Sequence, residues 1–210
     1  MTPYKVTKDF EAALCNYTGA RYAVAVNSCT AALLLAVQWN LRGMQRDQWD
    51  LRWNERVFVE IPKRTYVSVP CAIILAGARV ICCDEQWRGA YQLKPLPVWD
   101  CARRFTSGMY VVGQFQCVSF SASKILAAEQ GGAILHDNAE ADKWFRRMRF
   151  DGRTEGVDAM EDTFDLVGHH VLMLPSVAAT LLVRLYHLPK HNEDLPEREY
   201  PDLSKHPAFK

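Results

Sequence analysis

Apolar positions along the chain fall into short runs of two alternating kinds. "DFEAALCNYTG" spaces its apolar residues three and four apart and stops at Gly19, the pattern of an amphipathic helix closed by a left-handed residue. "RYAVAVNS" is a continuous apolar run of strand length, and "CTAALLLAVQWNL" behind it predicts a helix opened by Ser28 and Thr30. A polar stretch rich in Arg and Trp, residues 41–56, interrupts the pattern. Beyond it "VFVEIP" predicts a strand, "VSVPCAIILAG" a helix and "RVICCD" a strand. "LPVWD", "CVSFS" and "GGAILHD" add three more strands, and "AEADKWFRRMRF" another helix. Short strands taking turns with helices predict an α/β domain whose mainly parallel sheet is flanked by helices.

After residue 160 the pattern changes. "LPSVAATLLVRLYHL" reads as one amphipathic helix, either core or interface, and the polar, proline-broken "PKHNEDLPEREYPDLSKHPAFK" lacks apolar periodicity. Residues 1–185 are therefore expected to form the α/β domain, and 186–210 an arm or loose tail rather than a second folded domain.

With 210 residues, 49% of them apolar, the chain can bury a real core. Lys plus Arg number 25 against 24 Asp plus Glu, so no global field indicates nucleic acid or a membrane surface as a partner. One local cluster remains, Arg146, Arg147, Arg149 and Arg153. It is expected to be a solvated helix face, with a surface for a phosphate-bearing substrate or nucleic acid as the alternative. The seven cysteines sit mostly in strand-like runs without a C-x-x-C pair and are expected to be reduced core residues of a cytoplasmic protein. No stretch approaches the ~20 apolar residues of a membrane span, so neither membrane insertion nor secretion is expected. His169 and His170 are adjacent, and His187 and His191 are separated by Pro189, so neither pair is expected to hold a metal.

Three places carry candidate chemistry. In "CVSFSASKILAAEQGGAIL" a lysine, Lys124, follows a short strand and precedes paired glycines; by itself it reads as a solvated loop cation. Asn27, Ser28, Cys29 and Thr30 run a strand into a helix, offering N–H groups and hydroxyls to an anion, or merely an ordinary N-cap. Asp100 ends a strand at the carboxyl edge where α/β sheets hold ligands, a position that turn residues share.

Taken in order, "FEAALCNYTGARYAVAVNSCTAALLLAV", "IPKRTYVSVPCAIILAGARVICCD", "VWDCA" and "SFSASKILAAEQGGAIL" resemble the motif blocks of the DegT/StrS-type sugar aminotransferases, pyridoxal 5'-phosphate (PLP) enzymes of fold type I. The resemblance spans most of residues 10–185 and implies the large domain of that fold, with a reduced small domain. It implies that Lys124 holds the cofactor as an imine and then moves a proton. Asp100 would pair with the pyridine nitrogen. Ser28, Cys29, Thr30 and Ser119 would cradle the phosphate, Tyr66 would stack on the ring and Ala102 would pack beneath it.

The departures are specific. Cys29 replaces a glycine, and Glu129 and Gln130 stand where Gly and Glu are usual. Arg103 stands where Gln or His is common and is expected to meet the cofactor phenolate or a substrate carboxylate. His170 takes the place of an Asn that reaches the phosphate of the neighbouring subunit, and Leu172 replaces an Arg. One strand-helix unit of the family is missing between 84 and 96, which predicts direct pairing of the strands ending in "VEIP" and "PVWD". The resemblance implies an aminotransferase acting on a keto substrate, small or nucleotide-linked, with an amino-acid donor, in a homodimer. Two alternatives stand beside it: a PLP-dependent decarboxylase of an amino-acid group, such as one attached to a modified nucleic-acid base, and a non-catalytic PLP-binding relative.

Overall fold

The computed structural model describes residues 4–45 and 57–209. Helix α1 (Lys5–Thr18) closes at Gly19, which adopts φ 83° and donates its N–H to the Cys15 carbonyl; a Cβ would disfavour this left-handed closure. Strand β1 (Tyr22–Val26) leads into helix α2 (Cys29–Gln45), and Ser28 Oγ caps that helix by accepting the Ala31 N–H at 3.1 Å. Residues 46–56 of the polar stretch lie outside the described residues. Then come β2 (Phe58–Pro62), α3 (Ser68–Leu75), β3 (Arg79–Cys83), β4 (Tyr91–Leu93), β5 (Val98–Asp100), β6 (Phe115–Ser119), β7 (Gly132–His136), α4 (Ala139–Met148) and α5 (Pro175–Tyr186). Every element except β4 falls on a run that the hydrophobic pattern marks, although β6 begins two residues earlier than "CVSFS" suggests.

The sheet is mixed, which corrects the expectation of a mainly parallel one. Its order is β1-β7-β6-β5-β4, with β2 and β3 paired separately. Only β5–β6 and β2–β3 are parallel; β1–β7, β6–β7 and β4–β5 are antiparallel. The reason lies in the connections. Parallel neighbours need a crossover, which α3 supplies between β2 and β3 and the helix-free segment 101–114 between β5 and β6, whereas β4 turns into β5 through four residues and the segment after β6 returns the chain antiparallel as β7.

Strand β4 also overturns the direct pairing expected of the strands ending in "VEIP" and "PVWD". Its next residue, Lys94, exchanges two backbone hydrogen bonds with Glu60 of β2, at 2.8 and 3.1 Å. β4 is therefore inserted between β5 and β2 and runs antiparallel to both. Tyr91 and Leu93 point into the core while Gln92 and Lys94 alternate with them, the two-residue period of a half-buried strand.

Alternation along the strands sorts the core into two layers. Val24, Val26, Val98, Cys117 and Ile134 face α2, α3 and α4, and Ala23, Ala25, Val118, Ala133 and Leu135 face α1 and α5. Helix α5 is core on one face, burying Val177, Ala178, Leu181 and Leu185. The arginine cluster is not a solvated face. Arg149 is buried, and with Arg146 it holds the buried Glu11; Arg149 also pairs with Glu155, and Arg147 with Asp165. Burial pushes the Glu11 carboxyl up, but Arg149 and Arg146 outweigh it and hold the group below the ordinary carboxylate range.

Beyond α5 the described residues form two single turns of 3-10 helix, Leu203–Lys205 and Pro207–Phe209. It lies against the body at several points: Asp194 meets Arg104, Leu203 is buried and donates its N–H to Lys63 O, and Tyr200 stacks on Trp87.

Candidate active site

The carboxyl ends of β1, β5 and β6 open onto one cleft of about 260 Å³. Lys124 lies in it on the loop after β6, its N–H donated to Ser121 O in a tight turn. Gly132 fixes the wall opposite the helix. A Cβ there would come within 2.4 Å of Cys29 N and 2.5 Å of the Ser28 carbonyl carbon, so only glycine lets β7 press against the turn that opens α2.

That turn lines the cleft with Ser28, Cys29 and Thr30, and Ser119 and Ser121 face it from the end of β6. Thr30 Oγ1 donates to Ser68 Oγ at 2.8 Å, and the hydroxyls of Ser119 and Ser121 stand 3.5 Å apart. Hydroxyls and helix N–H groups without a carboxylate make this end suited to an anion. The Cys29 thiol is pushed up by burial and stays protonated, with Cys117 O as its acceptor at 3.6 Å.

Asp100 closes the floor. It is 5% exposed, and each oxygen is held: Oδ1 accepts the Ala102 N–H at 2.8 Å and Oδ2 accepts the Tyr91 hydroxyl at 3.0 Å. Because Tyr91 gives its proton to Asp100, the 2.6 Å contact with Thr65 has the threonine as donor. Burial pushes the Asp100 carboxyl up, opposed by these hydrogen bonds and by Lys124. Burial likewise pushes the Lys124 ammonium down, against the pull of Asp100. In this cleft burial thus works against the charged forms of both groups, the carboxylate of Asp100 and the ammonium of Lys124.

Nine of the ten candidate residues meet here: Ser28, Cys29, Thr30, Tyr66, Asp100, Ala102, Arg103, Ser119 and Lys124. Tyr66 is 58% exposed and presents its ring at the wall. Arg103 lines the cleft and also donates to Pro196 O of the C-terminal segment. His170 is elsewhere, exposed and bonded through Nδ1 to Asp151 at 2.8 Å. Pattern reading missed Tyr91, which holds Asp100, Thr65, which holds Tyr91, and Arg198 and Tyr200, which line the mouth. The alternation of Tyr91 and Leu93 was a signal for the first; Arg198 and Tyr200 reach the cleft only through tertiary packing.

The model of the DegT/DnrJ/EryC1/StrS aminotransferase family matches residues 1–112 and 106–198. The chain belongs to this family. Its PLP-dependent members share the type I fold, and the described architecture is the large domain of that fold. Similar solved structures include DesV of S. venezuelae, in complex with a ketimine intermediate, at 20% identity and TM-score 0.65, covering 87% of this chain and 57% of that one. Helicobacter pylori PseC, an aminotransferase involved in the biosynthesis of pseudoaminic acid, is 18% identical with TM-score 0.67, covering 88% and 58%. The sugar aminotransferase CalS13 from Micromonospora echinospora is 17% identical with TM-score 0.69, covering 87% and 61%. The chain thus spans less than two thirds of each. No curated protein matches it in sequence. Among the described residues, no helix is long and apolar enough to cross a membrane.

Proposed function

We propose that this chain binds PLP through Lys124 and transfers an amino group between an amino-acid donor and a keto substrate of the nucleotide-sugar kind. The observation that carries the reading is the pairing, in one cleft, of the partly buried Lys124 with the buried, doubly held Asp100. The donor set fits the cofactor: hydroxyls and the α2 N-terminus suit the phosphate, Asp100 suits a protonated ring nitrogen, Tyr66 suits the ring face, and Ala102 leaves room beneath.

When bound, PLP supplies an electron sink for the carbon that carries the amine. The chain's residues do the rest. Asp100, fixed by Ala102 and Tyr91, would pair with the ring nitrogen and favour its protonated form, which in turn would offset the cost of burying the carboxylate. Lys124 Nζ, pushed toward its neutral form by burial, would take the proton from the substrate carbon that bears the amine and deliver it to the cofactor carbon at the other end of the C–N link. Ser28, Thr30 and Ser119 anchor the far end so that the reacting carbon meets Nζ in a fixed orientation.

Homodimerisation belongs to the same reading, since closed two-fold pairs are the commonest oligomers, and the seven unpaired thiols suit a reducing cytoplasm. The test is the absorbance of the purified chain with added PLP, before and after a panel of amino donors, beside Lys124→Ala. A visible lysine-linked band absent from the variant, converting to the amine form of the cofactor with a donor, is the expected result. Carbon dioxide release without the amine form would replace transfer by decarboxylation, and no band at all would overturn the reading.

A further inference from the structure

We propose that Arg198, carried over the cleft by the C-terminal segment, acts with Arg103 to bind the α-carboxylate of the amino-acid substrate. This rests on the functional reading above and assigns the group that holds the donor.

Charge distribution in the cleft leads to it. Three cations line the space, Lys124, Arg103 and Arg198, against one carboxylate, Asp100, whose two oxygens are already occupied. The phosphate end contains hydroxyls and N–H groups but no Lys or Arg, so the cofactor's own anion leaves both arginines uncompensated. Arg198 forms no ion pair among the described residues; its guanidinium lies over the Tyr200 ring at 6.0 Å. Arg103 spends one donor on Pro196 O and keeps the others.

Placement makes this more than a loose surface charge. Residues 195–202 cross the mouth between two anchors. On one side Asp194 accepts two bonds from Arg104, at 2.9 and 2.7 Å, and Asn192 donates to Tyr17 Oη at 2.8 Å. On the other side the buried Leu203 donates to Lys63 O at 2.9 Å. Both arginines also push the Lys124 ammonium down, which puts their charge within reach of the reacting nitrogen. A substrate α-carboxylate is attached to the same carbon as the amine that reacts there, so it must lie in the same space. The planar fork of arginine matches a carboxylate with two parallel hydrogen bonds.

The outer cavity is a poorer place for an anion. It shares Trp87, Arg103, Arg198 and Tyr200 with the cleft, but Asp84, Glu85, Glu197 and Glu199 also line it. There five cations, Lys63, Arg64, Arg88, Arg103 and Arg198, face four carboxylates, a formal excess of one, whereas the inner cleft sets three cations against the single Asp100, an excess of two.

The test titrates glutarate, a carboxylate with no amine to react, into the PLP-loaded chain, followed by calorimetry and by the shift of the lysine-linked absorbance band. Arg198→Gln is expected to weaken glutarate about tenfold or more while leaving the band itself in place. Arg198→Lys should recover part of the affinity, and Lys205→Gln, which removes the same charge from the segment's far end, should bind as the unsubstituted chain does. Equal glutarate affinity in Arg198→Gln and the unsubstituted chain, with the band intact, would overturn the proposal alone. Failure of the unsubstituted chain to form the band would overturn the functional reading and this proposal with it.

Discussion

At the floor of the cleft Asp100 is almost fully buried, fixed by a backbone N–H two residues away and by Tyr91 from the neighbouring strand. At the mouth, Arg198 and Tyr200 arrive on a polar segment with no strand or α-helix, held by one ion pair and a handful of backbone bonds. The floor is built from sheet, where every polar group must find a partner, and so it comes prearranged. The mouth is built from exposed contacts of small individual worth, so it can be altered without disturbing the sheet.

Substitutions should separate the two regions, and the largest effect belongs to the floor. Lys124→Ala is expected to abolish covalent loading of PLP, seen as complete loss of the visible band. Asp100→Asn keeps the shape and the Ala102 contact but cannot hold a proton on the ring nitrogen; turnover should fall about 100-fold or more. The same variant should not lower the melting temperature of the cofactor-free chain, because burial already pushes the Asp100 carboxyl up and its charge costs stability there.

Away from the cleft, Glu11→Ala strips the buried Arg149 of one of its two carboxylate partners, leaving Glu155, and should cost about 3 kcal/mol in denaturant unfolding. The sign of its pH dependence follows from its depressed folded-state value. The contribution of Glu11 is present above its ordinary value of 4.5 and is lost as pH falls through the lower folded-state value. The acid limb of the stability curve should therefore flatten in the variant.

These differences also mark what was legible in the sequence. The helix of α1 ending at Gly19, the strand-to-helix turn at Ser28 and the strand end at Asp100 follow from local periodicity and capping, which act over a few residues. Strand direction was not legible, because it depends on the path each connection takes: the helix-free segments 101–114 and 120–131 join a parallel and an antiparallel pair respectively. β4 was passed over because three residues make too short a period to stand out, although its Tyr91 completes the floor. The arginine run at 146–153 looked solvated because its partner Glu11 lies more than 130 positions away in sequence. Arg198 escaped for the same reason.

The smallest effect is expected at the mouth. Asp194→Ala removes the ion pair with Arg104, whose side chain is 41% exposed, so the screened loss in global stability should be about 1 kcal/mol or less. The readout is local: faster proteolytic cleavage between 188 and 203, with the unfolding midpoint nearly unchanged. A large fall in global stability would mean that the mouth is built as firmly as the floor.

The central claim, that Lys124 opposite Asp100 is the cofactor's point of attachment, has a direct measurement. The chain is incubated with PLP, reduced with borohydride, digested and mapped by peptide mass. The account predicts one reduced cofactor adduct, on Lys124, forming faster as pH rises because the neutral amine attacks, with a midpoint below the ordinary lysine value of 10.5. An adduct spread over several lysines, or one that leaves Lys124 unmodified, would contradict it.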